Sequence, residues 1–208
     1  FKTATGSLLA APTEKIRIGP TGEIGIGGAT FGTAGDVLTS GGAGAATSWA
    51  AVASGLGTAS LWYLDTNVDM VASTNTFITA NLSEQGRVGS AMTESSGVFT
   101  FPSTGIWLVS FRTEFDENAT AYGEGRIWTT VNDATYVQRA CQRGSTSDND
   151  GNYEWGNTNT AYVFDVTDVA NCKAKFSLWA SATVTFSSSG YANALGRTYM
   201  MFERWGDT

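Results

Sequence analysis

The sequence predicts an all-β chain in two parts, a glycine-rich β segment over residues 1–59 followed by a β-sandwich over residues 60–208. Two observations lead there. From about Leu61, aromatic and β-branched runs recur with polar turns between them, as in a sandwich of short strands. Before that point the chain is dense in Gly, Ala, Ser and Thr, and helical periodicity is missing.

Taken in order, residues 1–59 hold only short apolar runs: Ile16-Arg17-Ile18, Glu23-Ile24-Gly25-Ile26 and Asp36-Val37-Leu38-Thr39. None buries a core alone. Short β segments broken by glycine turns, closing a core only against other chains, fit this composition. For Phe1–Pro12 and Ser54–Ser60 disorder is the alternative reading. Strands are then expected near Leu61–Leu64, Phe77–Leu82, Gly97–Phe101, Ile106–Phe115, Gly125–Val131, Thr135–Gln142, Thr160–Val166, Lys173–Ala180 and Arg197–Trp205. Alternation places Tyr162, Phe164 and Val166 on one strand face, and Phe176, Leu178 and Ala180 on another. Val163 and Trp179 make the opposite faces apolar too, which points to a second buried surface, most simply between subunits. Pro102 with Gly105 marks a turn, and Asn132-Asp133 a tight hairpin.

Composition excludes several functions. The 208 residues carry 19 Asp plus Glu against 12 Lys plus Arg, a net charge of −7. That balance argues against a nucleic-acid partner, which needs a basic face, and disfavours docking on an anionic membrane surface. Histidine is absent, so Ser-His-Asp or Cys-His catalysis, His-ligated zinc and an imidazole switch are impossible. No window approaches 18 apolar residues, and no basic stretch followed by an apolar run marks a secretory signal. Cys141 and Cys172 are too few for a disulfide framework, and the strand order puts them at opposite ends as free thiols.

Two stretches resemble known families. Gly32–Trp49, GTAGDVLTSGGAGAATSW, is similar to a glycine-rich element of bacteriophage tail and collar fibres, through Gly32, Gly35, Val37, Leu38, Thr39, Ser40, Gly42, Gly44, Ser48 and Trp49. The preceding Ile16–Thr30 also resembles fibre shaft sequence. Gly97–Trp107, GVFTFPSTGIW, and the closing Thr198–Gly206, TYMMFERWG, resemble the C1q/TNF-like trimeric jelly roll. Trp107 stands there in place of the usual Tyr, and Trp205 in place of a small aliphatic residue. The resemblance implies a homotrimeric jelly-roll head on a fibre shaft, with the C-terminus at the base where the shaft arrives. Loops 181–196, 143–159 and 114–124 then lie at the tip, and the 132–134 turn and 167–172 connection at the base.

Candidate sites are few. Gly25-Ile26-Gly27-Gly28 lacks the dinucleotide-binding spacing because residue 30 is Thr. Glu114, Asp116, Glu117 and Glu124 are expected in one solvated loop, where no carboxyl gains the raised pKa of a glycosidase acid. Asp148, Asp150 and Asn152 alternate like the first half of a Ca²⁺ loop, but the position of the bidentate Glu is Asn159, which favours a metal-free polar loop. Tyr153 and Trp155 in that loop, with Asn152 and with Tyr191 in another, suit stacking on a sugar or gripping a protein receptor. Trp155 tucked back as a loop anchor is the alternative. Asn118-Ala119-Thr120 and Asn81-Leu82-Ser83 match the glycosylation sequon, which carries weight only on a secretory route.

The sequence therefore reads as a virion fibre protein that is not an enzyme. It would bind a host cell-surface glycan or protein through a trimeric head, and other virion proteins through its N-terminal part. A structural head or collar fibre without receptor binding is the alternative.

Overall fold

A computed structural model describes residues 2–3, 13–51, 57–117, 121–146, 154–188 and 197–208. The chain divides into two compact units, Phe1–Gly55 and Leu56–Thr208. The described residues contain strands and no helix. The expected division at 59/60 falls inside a strand of the second unit, Thr58–Leu64, so Thr58–Ser60 belong to the sandwich rather than to the glycine-rich segment.

The first unit is a series of small antiparallel pairs. β1 (Lys2–Thr3) pairs with β2 (Thr13–Glu14), β3 (Ile16–Ile18) with β4 (Ile24–Ile26), and β5 (Asp36–Thr39) with β6 (Ser48–Ala51). The glycine-rich stretch Gly32–Trp49 has a local structural logic. Gly32 takes φ +71° and lies so close to Trp49 that a Cβ would meet the indole Cγ at 2.8 Å. The Trp49 indole then donates to the Ile24 carbonyl at 3.2 Å, tying one hairpin to the other. Burial stops there. Ile18 is 74% exposed, and Ile16, Ile24, Val37 and Leu38 are also exposed. These hairpins leave unburied the apolar side chains that define them.

The second unit contains β7 (Thr58–Leu64), β8 (Val68–Met70), β9 (Asn75–Phe77), β10 (Leu82–Val88), β11 (Thr93–Ser95), β12 (Val98–Thr100) and β13 (Gly105–Glu117). It continues with β14 (Tyr122–Thr130), β15 (Val137–Ser145), β16 (Glu154–Val166), β17 (Lys173–Ala180), β18 (Val184–Phe186) and β19 (Tyr199–Gly206). Eight of them nest. β7 pairs with β19, β12 with β17, β13 with β16, and β14 with β15. The first thus meets the last, the second the seventh, the third the sixth, and the fourth the fifth. That order is a jelly roll. β13 also pairs with β19 and β14 with β17, which completes two sheets, β10-β7-β19-β13-β16 and β11-β12-β17-β14-β15. β18 and β8 extend the first sheet at one end, and β9 pairs with β17 in the second.

Period-two alternation builds the core between them. Along β13, Trp107, Val109, Phe111, Thr113 and Phe115 all point inward with 0% exposure. They meet an aromatic cluster in which the rings of Phe99 and Phe202 lie 4.9 Å apart and those of Phe111 and Phe176 5.0 Å apart. Each buried phenylalanine contributes about 1.5–3 kcal/mol relative to exposure. Space is made from the facing strand, because a Cβ on Gly123 would stand 2.6 Å from the Phe115 ring.

Several expected elements change. The strand expected over Phe77–Leu82 is broken by Ile78–Asn81 and yields parts of two, β9 and β10. The short strands β8, β11 and β18 were not expected. Asn132-Asp133 is not a two-residue hairpin. The connection runs over residues 131–136, with the Asn132 Oδ1 accepting from the Ala134 and Thr135 amides. Glu114 and Asp116 lie on β13 and Glu124 on β14, so the four carboxylates do not share one loop. Trp155 belongs to β16, not to a loop. Cys141 sits in mid-strand opposite Arg126 rather than at a strand end. Both thiols are free, Cys141 exposed and Cys172 buried.

Candidate receptor-binding surfaces

Strand register fixes the two ends of the sandwich. Gly105 faces Val166, Ile106 faces Gly206, and Thr58 faces Arg204, so the chain arrives from residue 57 at the end where it finishes. This is the proximal end. Connections 131–136 and 167–172 lie there, joined by the Asp133 amide donating to the Asn171 carbonyl at 3.0 Å. At the distal end Glu117 faces Glu154, Tyr122 faces Ser145, and Gly123 faces Ala180. The β13–β14, β15–β16 and β18–β19 connections therefore share the distal end, as antiparallel alternation requires.

Their feet are firmly held. The Thr146 amide donates to the Ala121 carbonyl at 2.9 Å, and the Ala121 amide to the Thr146 hydroxyl at 3.0 Å. The Ser181 amide donates to the Tyr122 carbonyl and the Ser187 amide to the Glu114 carbonyl, each at 2.8 Å. Asp148, Asp150, Asn152, Tyr153 and Tyr191 lie outside the described residues. Trp155 is described. It is 51% exposed, and the Arg197 guanidinium sits 4.3 Å from the centroid of its ring. Arg197 also donates to Glu114, which has Arg112 at 3.7 Å on the same strand face. Trp155 is thus part of a charged distal rim that includes Arg197, Glu114 and Arg112. Among the described residues, no group of three His, Cys, Asp or Glu is placed to hold a metal.

The outward faces of the two sheets differ. On β10-β7-β19-β13-β16, register aligns Val88, Ala59, Glu203, Leu108 and Val163 in one row, and Gly86, Leu61, Met201, Ser110 and Ala161 in the next. A groove lined by Ala59, Leu61, Val88 and Met201 runs between them. Polarity then rises toward the distal end, through Tyr63, Tyr199, Arg112 and Asn159 to Glu114 and Asn157.

On the opposite sheet the outward face interleaves rings and cations. Tyr122, Glu124, Arg126 and Trp128 alternate along β14 with the inward Gly123, Gly125, Ile127 and Thr129. Glu124 is 7% exposed and forms the hub of this face. Its Oε2 accepts from the Arg126 Nε and Nη2 at 2.9 and 2.6 Å, and its Oε1 from the same two atoms of Arg143 at 2.9 and 2.6 Å. Burial pushes this carboxyl up, but the bonds and charges of Arg143 and Arg126 together hold it below the ordinary carboxylate value. That is the reverse of what a general acid needs. The Arg143 guanidinium lies 5.7 Å from the Tyr122 ring and 5.5 Å from Trp179, and Arg126 lies 5.6 Å from Trp179. Toward the proximal end, the Lys175 ammonium sits 4.2 Å from the Tyr136 ring and 5.9 Å from Phe77, which packs on Trp128. The sequence reading missed this surface. Its signal was the Tyr-x-Glu-x-Arg-x-Trp alternation with glycines between, whose first half falls in the expected 114–124 loop and only the part from Gly125 in an expected strand.

No protein-family model and no curated protein matches the chain. Solved structures of similar shape include murine APRIL at pH 8.0, at 14% identity and TM-score 0.48, covering 71% of this chain and 98% of that one. Eiger TNF from S. frugiperda matches at 9% identity and TM-score 0.47, over 72% of this chain and 93% of its own. The PRD1 vertex protein P5 matches at 15% identity and TM-score 0.40, over 82% of each chain. The fold assignment itself stands on the nested strand pairing.

Proposed function

We propose that this chain is a virion fibre protein whose jelly-roll head forms a homotrimer and adheres to a host-surface glycan or protein through its distal connections. The observation that carries the reading is the apolar outward face of β10-β7-β19-β13-β16. Val88 and Val163 on it are 52% and 48% exposed, beside Ala59, Leu61, Leu108 and Met201. Such rows on an otherwise polar molecule mark an interface, and a second and third copy of the same face supply the matching apolar surface. The exposed isoleucines of β3 and β4 support the same arrangement for the N-terminal unit. The fibre-like motif at Gly32–Trp49 supports the virion setting.

The activity is binding rather than catalysis, in keeping with Glu114 and Glu124 each engaged by arginine. Three heads on one axis turn weak individual contacts into firm attachment. Adsorption of host cells by the purified chain tests the reading, with Asn132→Ala/Asp133→Ala at the proximal turn as control. Adsorption that survives the control and falls with changes in the distal connections supports it. Absence of adsorption leaves the structural-fibre alternative, and loss only in the control reverses the orientation.

A further inference from the structure

We propose that the outward face of β9, β17, β14 and β15 is a second binding surface, and that its ligand is a polyanionic cell-surface chain lying lengthwise over the strands. This deepens the adhesion reading and rests on it for the biological setting, but it uses neither the distal connections nor the trimer face. In the proposed trimer it is the sheet turned outward.

Charge is the first argument. The chain carries a net −7, yet among the described residues this face presents Arg126, Arg143 and Lys175 against Glu124, with Asp133 near Tyr136 at its proximal edge. The Glu124 carboxylate has both oxygens on guanidinium groups. Lys175 makes no ion pair among the described residues and rests on rings alone. In an acidic protein, a local excess of positive charge draws in an anion.

Preorganisation is the second. Glu124 and the Trp179 ring fix Arg143 from two sides, while its side chain stays 58% exposed and its Nη1 is not used by the carboxylate. A guanidinium already held pays little entropy on meeting an anion. Arg126 is held likewise, its Nη1 donating to the Asn75 Oδ1 at 3.0 Å. That Oδ1 also accepts from Ser177, whose hydroxyl accepts from the Trp128 indole. The exposed planes of Tyr122 (45%) and Phe77 (37%) supply the stacking surfaces a sugar ring uses.

Spacing is the third. Arg143 lies in the row of Glu124, and Lys175 in the row of Trp128, four residues along β14. That separation is roughly 13 Å along the strand, so the two cations meet successive charges of a repeating polymer rather than one small anion.

The test uses the full chain and needs no cells. Polygalacturonate carries carboxylates, poly(glycerol phosphate) carries phosphates, and dextran is neutral. Cys141 is exposed in mid-surface opposite Arg126 and serves as a footprint, with buried Cys172 as internal control. The expected result is that one or both polyanions slow Cys141 alkylation several-fold and bind in titration calorimetry, which polymer does so naming the source of charge. Dextran does neither. Arg143→Ala/Lys175→Ala weakens binding at least roughly tenfold, and raised salt weakens it further. Lys175→Gln, which removes no hydrogen bond to a strand neighbour, keeps the fold and still loses about threefold. Failure of both polyanions, equal binding of dextran, tighter binding of duplex DNA, or insensitivity to Lys175→Gln would overturn the inference. Polyanion binding with no host adsorption would count against the adhesion reading alone.

Discussion

Replacing Glu124 with glutamine removes one negative charge from between two guanidiniums and leaves the shape of the side chain. Four charge-assisted hydrogen bonds reach that carboxylate at 2.6–2.9 Å. The two partners respond differently. Arg143 has a 58% exposed side chain and returns to water at a cost of about 0–1 kcal/mol. Arg126 is 18% exposed and strands its charge beside a glutamine amide, which costs about 1.5–3 kcal/mol. The expected loss is therefore about 1.5–4 kcal/mol at neutral pH, read by urea titration, or a melting shift of roughly 3–16 °C. The sign with pH follows from linkage. The folded carboxyl titrates below its ordinary value, so its stabilisation is full above the unfolded pKa of about 4.3 and is lost as pH falls through the lowered folded pKa. Wild type and Glu124→Gln should converge on acidification. Arg126→Ala should couple to Glu124 more strongly than Arg143→Ala in a double-mutant cycle. A neutral-pH loss below about 0.5 kcal/mol, or a gap that widens in acid, would refute the reasoning.

Other outcomes follow from the same structure. Trp155→Ala removes the ring under Arg197 but no core contact, so stability should fall by at most about 1 kcal/mol in thermal melts while host adsorption drops. Unchanged adsorption would leave Trp155 a rim anchor only. Gly97 takes φ +78°, and a Cβ there would stand 1.9 Å from the Ile78 carbonyl oxygen. Gly97→Ala should cost several kcal/mol, measured as loss of folded protein at 37 °C. Thiol titration should find one reactive cysteine in the native chain and two after unfolding, since Cys141 is exposed and Cys172 buried. Two reactive thiols in the native state, or none after unfolding, would contradict the packing.

What the sequence carried is the alternation. Tyr162, Phe164 and Val166, and Phe176, Leu178 and Ala180, face the core as their spacing predicts, because period two is a local property of any strand. The proximal and distal levels were equally legible, since they need only strand order. Short strands such as Val68–Met70 and Val184–Phe186 were not, because they exist by pairing with each other and with β13, contacts no local window contains. The acidic residues were misplaced for a related reason. Glu124 is polar in sequence and buried in structure only because Arg126 and Arg143 arrive from its own strand and the next. Trp155 was taken for a loop residue because the glycine- and asparagine-rich run before it hides the start of a thirteen-residue strand.

The central claim is the homotrimer closed on the apolar face of β10-β7-β19-β13-β16, and its most direct measurement is the solution mass of the intact 21.9 kDa chain by light scattering, with and without a charge placed on that face. The account predicts three times the chain mass at micromolar concentration, and a shift toward smaller species for Leu61→Asp/Met201→Asp with the strand signature of the circular dichroism spectrum kept. A stable mass of one chain for the unaltered protein, or a trimer indifferent to both aspartates, would contradict it.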